Sequence, residues 1–168
     1  MKPQVIKRTL ILSAIVALSL PLAQLLSQTV AKDVNPVHGV YLPPDIQWKE
    51  GPPSLLPGAK SAVLEGDMTK AGPFTVRLRL PNDYHISAHT HPAIEHVTII
   101  SGSMKLAMGD QLDRAAAHTL PAGSFAVMPT GMRHAAWFEG ETIIQIHGIG
   151  PWEINYLNPA DDPRTAKK

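Results

Sequence analysis

Hydrophobic residues fall into three regimes along the chain. From about Leu10 to Leu26 they are nearly continuous. From Lys32 to about Pro57 they are broken by Pro36, Pro43, Pro44, Pro52, Pro53 and Pro57, which predicts an extended, irregular arm. Within it Ile46 and Trp48 alternate with polar neighbours, the pattern of a short edge strand, and Trp48 is the side chain expected to anchor the arm. After Gly58 the apolar positions come in short runs rich in β-branched residues. Ser61–Leu64, Phe74–Leu80, Tyr84–Ala88, His96–Ile100, Met104–Met108, Ser124–Met128, His134–Phe138 and Thr142–His147 each fit a strand.

Turn chemistry separates these runs: Gly66-Asp67, Ala71-Gly72-Pro73, Pro81-Asn82-Asp83, Ser101-Gly102-Ser103, Gly109-Asp110, Pro121-Ala122-Gly123 and Pro129-Thr130-Gly131. Short strands with regular turns predict an all-β antiparallel sandwich or closed barrel. One helical turn is expected at Asp113–His118, and the polar stretch 158–168 with its two prolines is expected to be loose. The expected organisation is therefore an N-terminal segment 1–31, an arm 32–60, a barrel 61–157 and a tail 158–168.

The first segment reads as a secretory signal peptide. Lys2, Lys7 and Arg8 precede the apolar run, and Ser27-Gln28-Thr29-Val30-Ala31 offers small residues for cleavage after Ala31. The competing reading, an uncleaved anchor helix, is weakened by Pro21 and Gln24. Cleavage there would place the mature protein in the periplasm or outside the cell, with no stable membrane insertion. It would also change the formal charge from +1 to −2, since three cations and no acids leave. That balance gives no reason to expect nucleic acid as a partner. The absence of cysteine excludes disulfides, thiolate metal ligands and cysteine nucleophiles.

The candidate chemistry lies in four residues. His89 and His91 are two apart at the end of a predicted strand, so both imidazoles face the same side and can chelate one ion. Pro92-Ala93 then turns the chain and Glu95 opens the next strand, where its carboxylate can return to that side. The Pro129-to-Arg133 turn delivers His134 at the start of another strand. Three imidazoles and one carboxylate suit one divalent transition metal ion (Fe, Mn, Zn, Ni, Co or Cu) and do not suit calcium.

The other side chains divide by alternation. His85 shares parity with Ser87, His89 and His91, which would set it inside the barrel as a partner to a ligand or a proton shuttle. His96 should point away from the face that Glu95 uses. In Ile144-Gln145-Ile146-His147 either the isoleucines or the Gln145/His147 pair face inward. Arg77 and Arg79 read as a solvated strand face in preference to an anion-binding wall, and Trp152 as packing on the outside or rim.

On these residues the sequence resembles the cupin superfamily. Its first motif, G-x5-H-x-H-x3-E-x6-G, is matched by His89, His91, Glu95 and Gly102, and its second, G-x5-P-x-G-x2-H-x3-N, by Gly123, Pro129, Gly131 and His134. Asp83 stands at the first glycine and Phe138 at the final asparagine. Neither is a ligand position, Asp tolerates left-handed backbone, and Phe138 implies a more apolar floor. The resemblance implies a jelly-roll barrel, or double-stranded β-helix, around a 3-His-1-Glu mononuclear site.

Cupins with this ligand set include dioxygenases, isomerases and lyases as well as binding modules, so fold does not fix function. The leading expectation is a small-molecule metalloenzyme in which His85, or Glu95 swinging off the metal, transfers protons. The alternative is a non-catalytic periplasmic metal- or ligand-binding sensor, prompted by some likeness to the zinc-binding cupin domain of anti-sigma factors. Exposed sheet edges and the arm make a homodimer plausible.

Overall fold

The computed structural model describes residues 39–165; the expected signal peptide and the first residues of the arm lie outside them. Nine strands are formed in chain order: β1 (Lys49–Glu50), β2 (Lys60–Glu65), β3 (Gly72–Leu80), β4 (His85–Thr90), β5 (Glu95–Met108), β6 (His118–Pro121), β7 (Phe125–Met128), β8 (His134–Gly150) and β9 (Asn155–Tyr156). Every pairing between them is antiparallel.

Two long strands knit the barrel. The first half of β5 pairs with β7 and with the second half of β8, which pairs with β3, β3 with β2 and β2 with β1. The second half of β5 pairs with β6 and with the first half of β8, which continues to β4 and β9. These are the two facing sheets of a jelly roll. Each long strand was expected as two strands, those of β5 divided by the Ser101-Gly102-Ser103 turn. The divider is instead a bend inside one ladder, at Gly102 (φ 78°) in β5 and Gly140 (φ 71°) in β8. A Cβ on Gly102 would collide with Thr142 Oγ1 and lie 2.7 Å from Glu141 O, so the bend in β5 nests against that in β8 with no room for a side chain at Gly102. Thr142, fully buried there, exchanges hydrogen bonds with Ser103 N and O, both 3.2 Å.

Alternation fills the interior. Phe74, Val76, Leu78 and Leu80 of β3 point inward, facing Val97, Ile99, Met104 and Leu106 of β5 and Phe138, Ile144 and Ile146 of β8. The isoleucines of β8 are thus the inner pair, and Gln145 and His147 face out. Arg77 and Arg79 lie on the outer face as expected. Arg77 Nε donates to Gln145 Oε1 at 3.0 Å, and the Arg79 guanidinium sits 4.3 Å over the Trp48 ring, fixing the arm as Trp48 was expected to do. Ile46 and Leu55 are buried, and the Tyr84 and Tyr156 hydroxyls donate to Leu56 O and Ser54 O, both 2.7 Å. Burial raises both phenols, that of Tyr156 to about 12.

Three local expectations are corrected. Residues 113–117 contain no helical turn; they form bends that lead into β6, whose first residue is His118. Trp152 is not on the rim: it is 6 % exposed and belongs to the core. The tail is not loose from Asn158 onward, because two 3-10 turns, Pro159–Asp161 and Pro163–Thr165, run to Thr165, and Arg164 Nη2 donates to Ile154 O at 2.9 Å. Among the described residues no helix is long and apolar enough to cross a membrane.

Candidate metal centre

His89, His91, Glu95 and His134 meet inside the barrel. His89 of β4 and His134 of β8 are cross-strand partners, which brings their rings to 4.1 Å between centroids. His91 follows β4, and its carbonyl accepts from Gly131 N at 2.9 Å, so the Pro129-to-Met132 turn is bonded to the loop that bears the first ligands. The turn itself closes through Met132 N to Pro129 O at 2.9 Å, with Gly131 at φ 75°. Glu95 opens β5 opposite Met128 of β7. All four residues are between 2 and 4 % exposed.

Backbone carbonyls fix the three rings. Nδ1 of His89 donates to Ser87 O at 2.7 Å, Nδ1 of His91 to Glu153 O at 2.7 Å, and Nδ1 of His134 to Met132 O at 3.0 Å. A carbonyl oxygen can only accept, so each Nδ1 carries a proton and Nε2 is the nitrogen each ring turns to the site. One ring nitrogen from each of the three lies within 4.8 Å of the others. Glu95 Oε2 stands 3.2 Å from His91 Nε2 and 3.3 Å from His134 Nε2. Those are the separations of donors that each sit about 2.0–2.1 Å from one shared ion, which come to about 3.0–3.4 Å.

The charge pattern calls for a cation. Burial, then the neighbouring His134 and His91, drives the His89 pKa from 6.5 to about 3, so this ring is neutral at physiological pH. Burial alone would raise the Glu95 carboxyl, but the imidazoles of His134 and His91 that face it outweigh burial and hold it ionised, at about 2. Three imidazole nitrogens and a carboxylate thus converge in a dry site, and His91 Nε2 lacks a hydrogen-bond partner of acceptable geometry despite the carboxylate beside it. The residues fit a divalent transition metal ion, with nitrogen donors that disfavour calcium.

The surrounding cavity is apolar, lined by Ile86, Met104, Met128, Phe138, Ile144 and Trp152 among others, and its free space is about 30 Å³. That holds one or two water-sized molecules beside an ion. Phe138 supplies the apolar floor its place in the second motif implied. Trp152 went unrecognised as a site residue; its indole stacks on His91 at 4.2 Å and 23°, and nothing in the local pattern of Gly148-to-Trp152 signals a partner so far back in the chain.

His85 is not in the site. It is exposed, opposite Trp137, while Ile86 lines the cavity. The ladder between β4 and β8 shifts register between Ile86 and His89, and the irregularity reverses the parity that alternation from His85 to His89 assumes. The expected proton shuttle is therefore withdrawn. His96 does face outward, stacked on His147 at 4.8 Å and on Phe125 at 5.9 Å.

Comparison with known proteins agrees with the geometry. Residues 40–163 match a family described as a domain of unknown function, DUF4437. No curated protein matches the chain. Among solved structures, the polyketide cyclase RemF from Streptomyces resistomycificus is similar at 14 % identity and a TM-score of 0.60, over 75 % of this chain and 89 % of that one. An acetylacetone dioxygenase from Acinetobacter johnsonii is similar at 16 % identity and a TM-score of 0.57, over 74 % and 80 %. An RmlC-like cupin from Shewanella frigidimarina is similar at 11 % identity and a TM-score of 0.50, over 71 % and 92 %. At these identities the likeness establishes the cupin fold.

Proposed function

The chain belongs to the DUF4437 family, and from its buried cluster we propose that it is a mononuclear metalloenzyme acting on a small molecule, of dioxygenase, isomerase or lyase type. The observation that carries this is the set of three clustered imidazoles, each held by a carbonyl on Nδ1, two of which, His91 and His134, turn Nε2 toward the Glu95 carboxylate. In this reading His89, His91 and His134 bind through Nε2, and Glu95 is the fourth ligand. A bound divalent metal supplies Lewis acidity or activates dioxygen. The protein's own share is to hold the donors in place, to exclude water with the apolar wall, and to offer Glu95 Oε1 or Oε2 for proton transfer. Two of the neighbouring folds are those of a polyketide cyclase and an acetylacetone dioxygenase, which supports small oxygen-bearing molecules as the first to test.

A non-catalytic metal- or ligand-binding role is the second reading, favoured by the small free space of about 30 Å³ at the centre. In either case the segment 1–31 is read as a signal peptide and the protein as periplasmic or secreted. Sequencing the N-terminus of protein recovered from the periplasm tests that directly.

Metal analysis of the purified native protein should find one transition metal ion per chain, absent from the double variant His89→Ala with His134→Ala. A stoichiometric ion retained by that variant sinks the assignment. Oxygen uptake or product formation with small diketones, thiols or phenols separates enzyme from binding module: loss of activity in the same variant is expected, and a metal-loaded protein inert to the whole panel favours the binding module.

A further inference from the structure

The cavity that holds the four donors is too small for an organic molecule, but a second chamber adjoins it. It has a volume of about 380 Å³ and lies between the arm, β2, β3 and the segment that follows β8. That volume is at the lower end of the roughly 300–1,000 Å³ typical of small-molecule sites. Leu78, Ile146, Trp152 and Ile154 line both spaces, so one layer of side chains is all that divides them.

The divider is tied to the metal centre at two points. Trp152 stacks on His91, and Glu153, which also lines the chamber, provides the carbonyl that accepts from His91 Nδ1. Trp152 Nε1 is buried and has no hydrogen-bond partner, an uncommon state for an indole that is 6 % exposed. A ligand oxygen would satisfy it.

The chamber's chemistry limits what it takes. Val63, Met68, Val76, Leu78, Ile146 and Ile154 make most of the wall apolar. Its one guanidinium, Arg164, is already committed to both oxygens of Asp162 and to Ile154 O. Glu50, paired with Lys60, and Glu153 add carboxylates. An anion would find no free cation among these residues and two acids.

We propose that this chamber binds the organic molecule the protein acts on before it reaches the metal cavity, an uncharged molecule with an apolar body and a carbonyl or hydroxyl oxygen that accepts from Trp152 Nε1. This rests on the metalloenzyme reading above, but the chamber can be tested apart from it.

The probe is cyclohexanone, uncharged and a poor chelator, titrated into the isotopically labelled, zinc-loaded chain. With three tryptophans in the sequence, the indole N–H signals are few, and the one lost in Trp152→Phe is assigned to Trp152. Cyclohexanone should move that signal more than those of Trp48 and Trp137, saturating in the millimolar range. Ser61→Phe, which fills the chamber from β2, should weaken binding at least tenfold with bound zinc unchanged. Thr69→Phe, in an exposed turn of the same wall, serves if Ser61→Phe does not fold. Benzoate, of similar bulk but anionic, should bind at least tenfold more weakly. An unmoved Trp152 signal, filled variants that bind like wild type, or benzoate binding as well as cyclohexanone would each overturn the proposal. If zinc is not retained, the same titration on the metal-free chain still reads the chamber, so the two readings fail separately.

Discussion

Acid should destabilise the metal-free barrel through His89, and the size of the effect follows from its surroundings. The ring is 3 % exposed, and its pKa falls from 6.5 to about 3 on folding. A depressed histidine contributes nothing against folding above 6.5, where it is neutral in both states. Below 6.5 the unfolded chain takes up a proton that the folded chain refuses until about pH 3, so stability falls as pH falls across that window. Between pH 7 and pH 4.5 this one residue costs about 2–3 kcal/mol, which corresponds to a drop in Tm on the order of 10 °C. Urea unfolding after chelation, at pH steps from 7 to 4.5, measures it. His89→Leu keeps the bulk and removes the proton site, so its stability should depend on pH less steeply than wild type by up to about 1.4 kcal/mol per pH unit. Parallel pH profiles for the two proteins would refute the reasoning, because they would show that the ring accepts a proton in the folded state.

Two further outcomes are expected from the frame around the site. Gly102→Ala puts a methyl group against Thr142 Oγ1 and Glu141 O at a φ of 78°, and should destabilise the protein by about 3 kcal/mol or more in a denaturant melt; a change under 1 kcal/mol would mean the two bends do not nest as described. Trp48→Ala removes the ring under Arg79 and should cost about 1–2 kcal/mol while raising proteolytic cleavage before Gly58; an unchanged cleavage pattern would show that the arm is held by Ile46 and Leu55 alone.

Much of this architecture was legible because turn chemistry and alternation are local. Gly, Pro and Asp mark the turns, and Asp83 does hold the left-handed conformation its position required, at φ 60°. The four donors were legible through motif spacing. What escaped is set by partners distant in sequence. Gly102 and Gly140 look like strand terminators, yet the ladder continues through both because each bend is matched by the other. His85 looked inward only if β4 was regular, and the irregularity between Ile86 and His89 is imposed by its pairing with β8. Trp152 and the carbonyl of Glu153 reach His91 from 62 residues away in the case of the hydrogen bond, a distance over which periodicity carries no information.

That long-range hydrogen bond also orders events in time. Glu153 O fixes the tautomer and direction of His91, so this ligand has its Nε2 aimed only after the chain beyond β8 has been made and laid across the barrel. A nascent or truncated chain ending at Gly150 would present three ligands with defined rings or carboxylates and one that is free to swivel. A metal ion held as proposed would meet its full set of aimed donors only in a chain whose last segment is already packed.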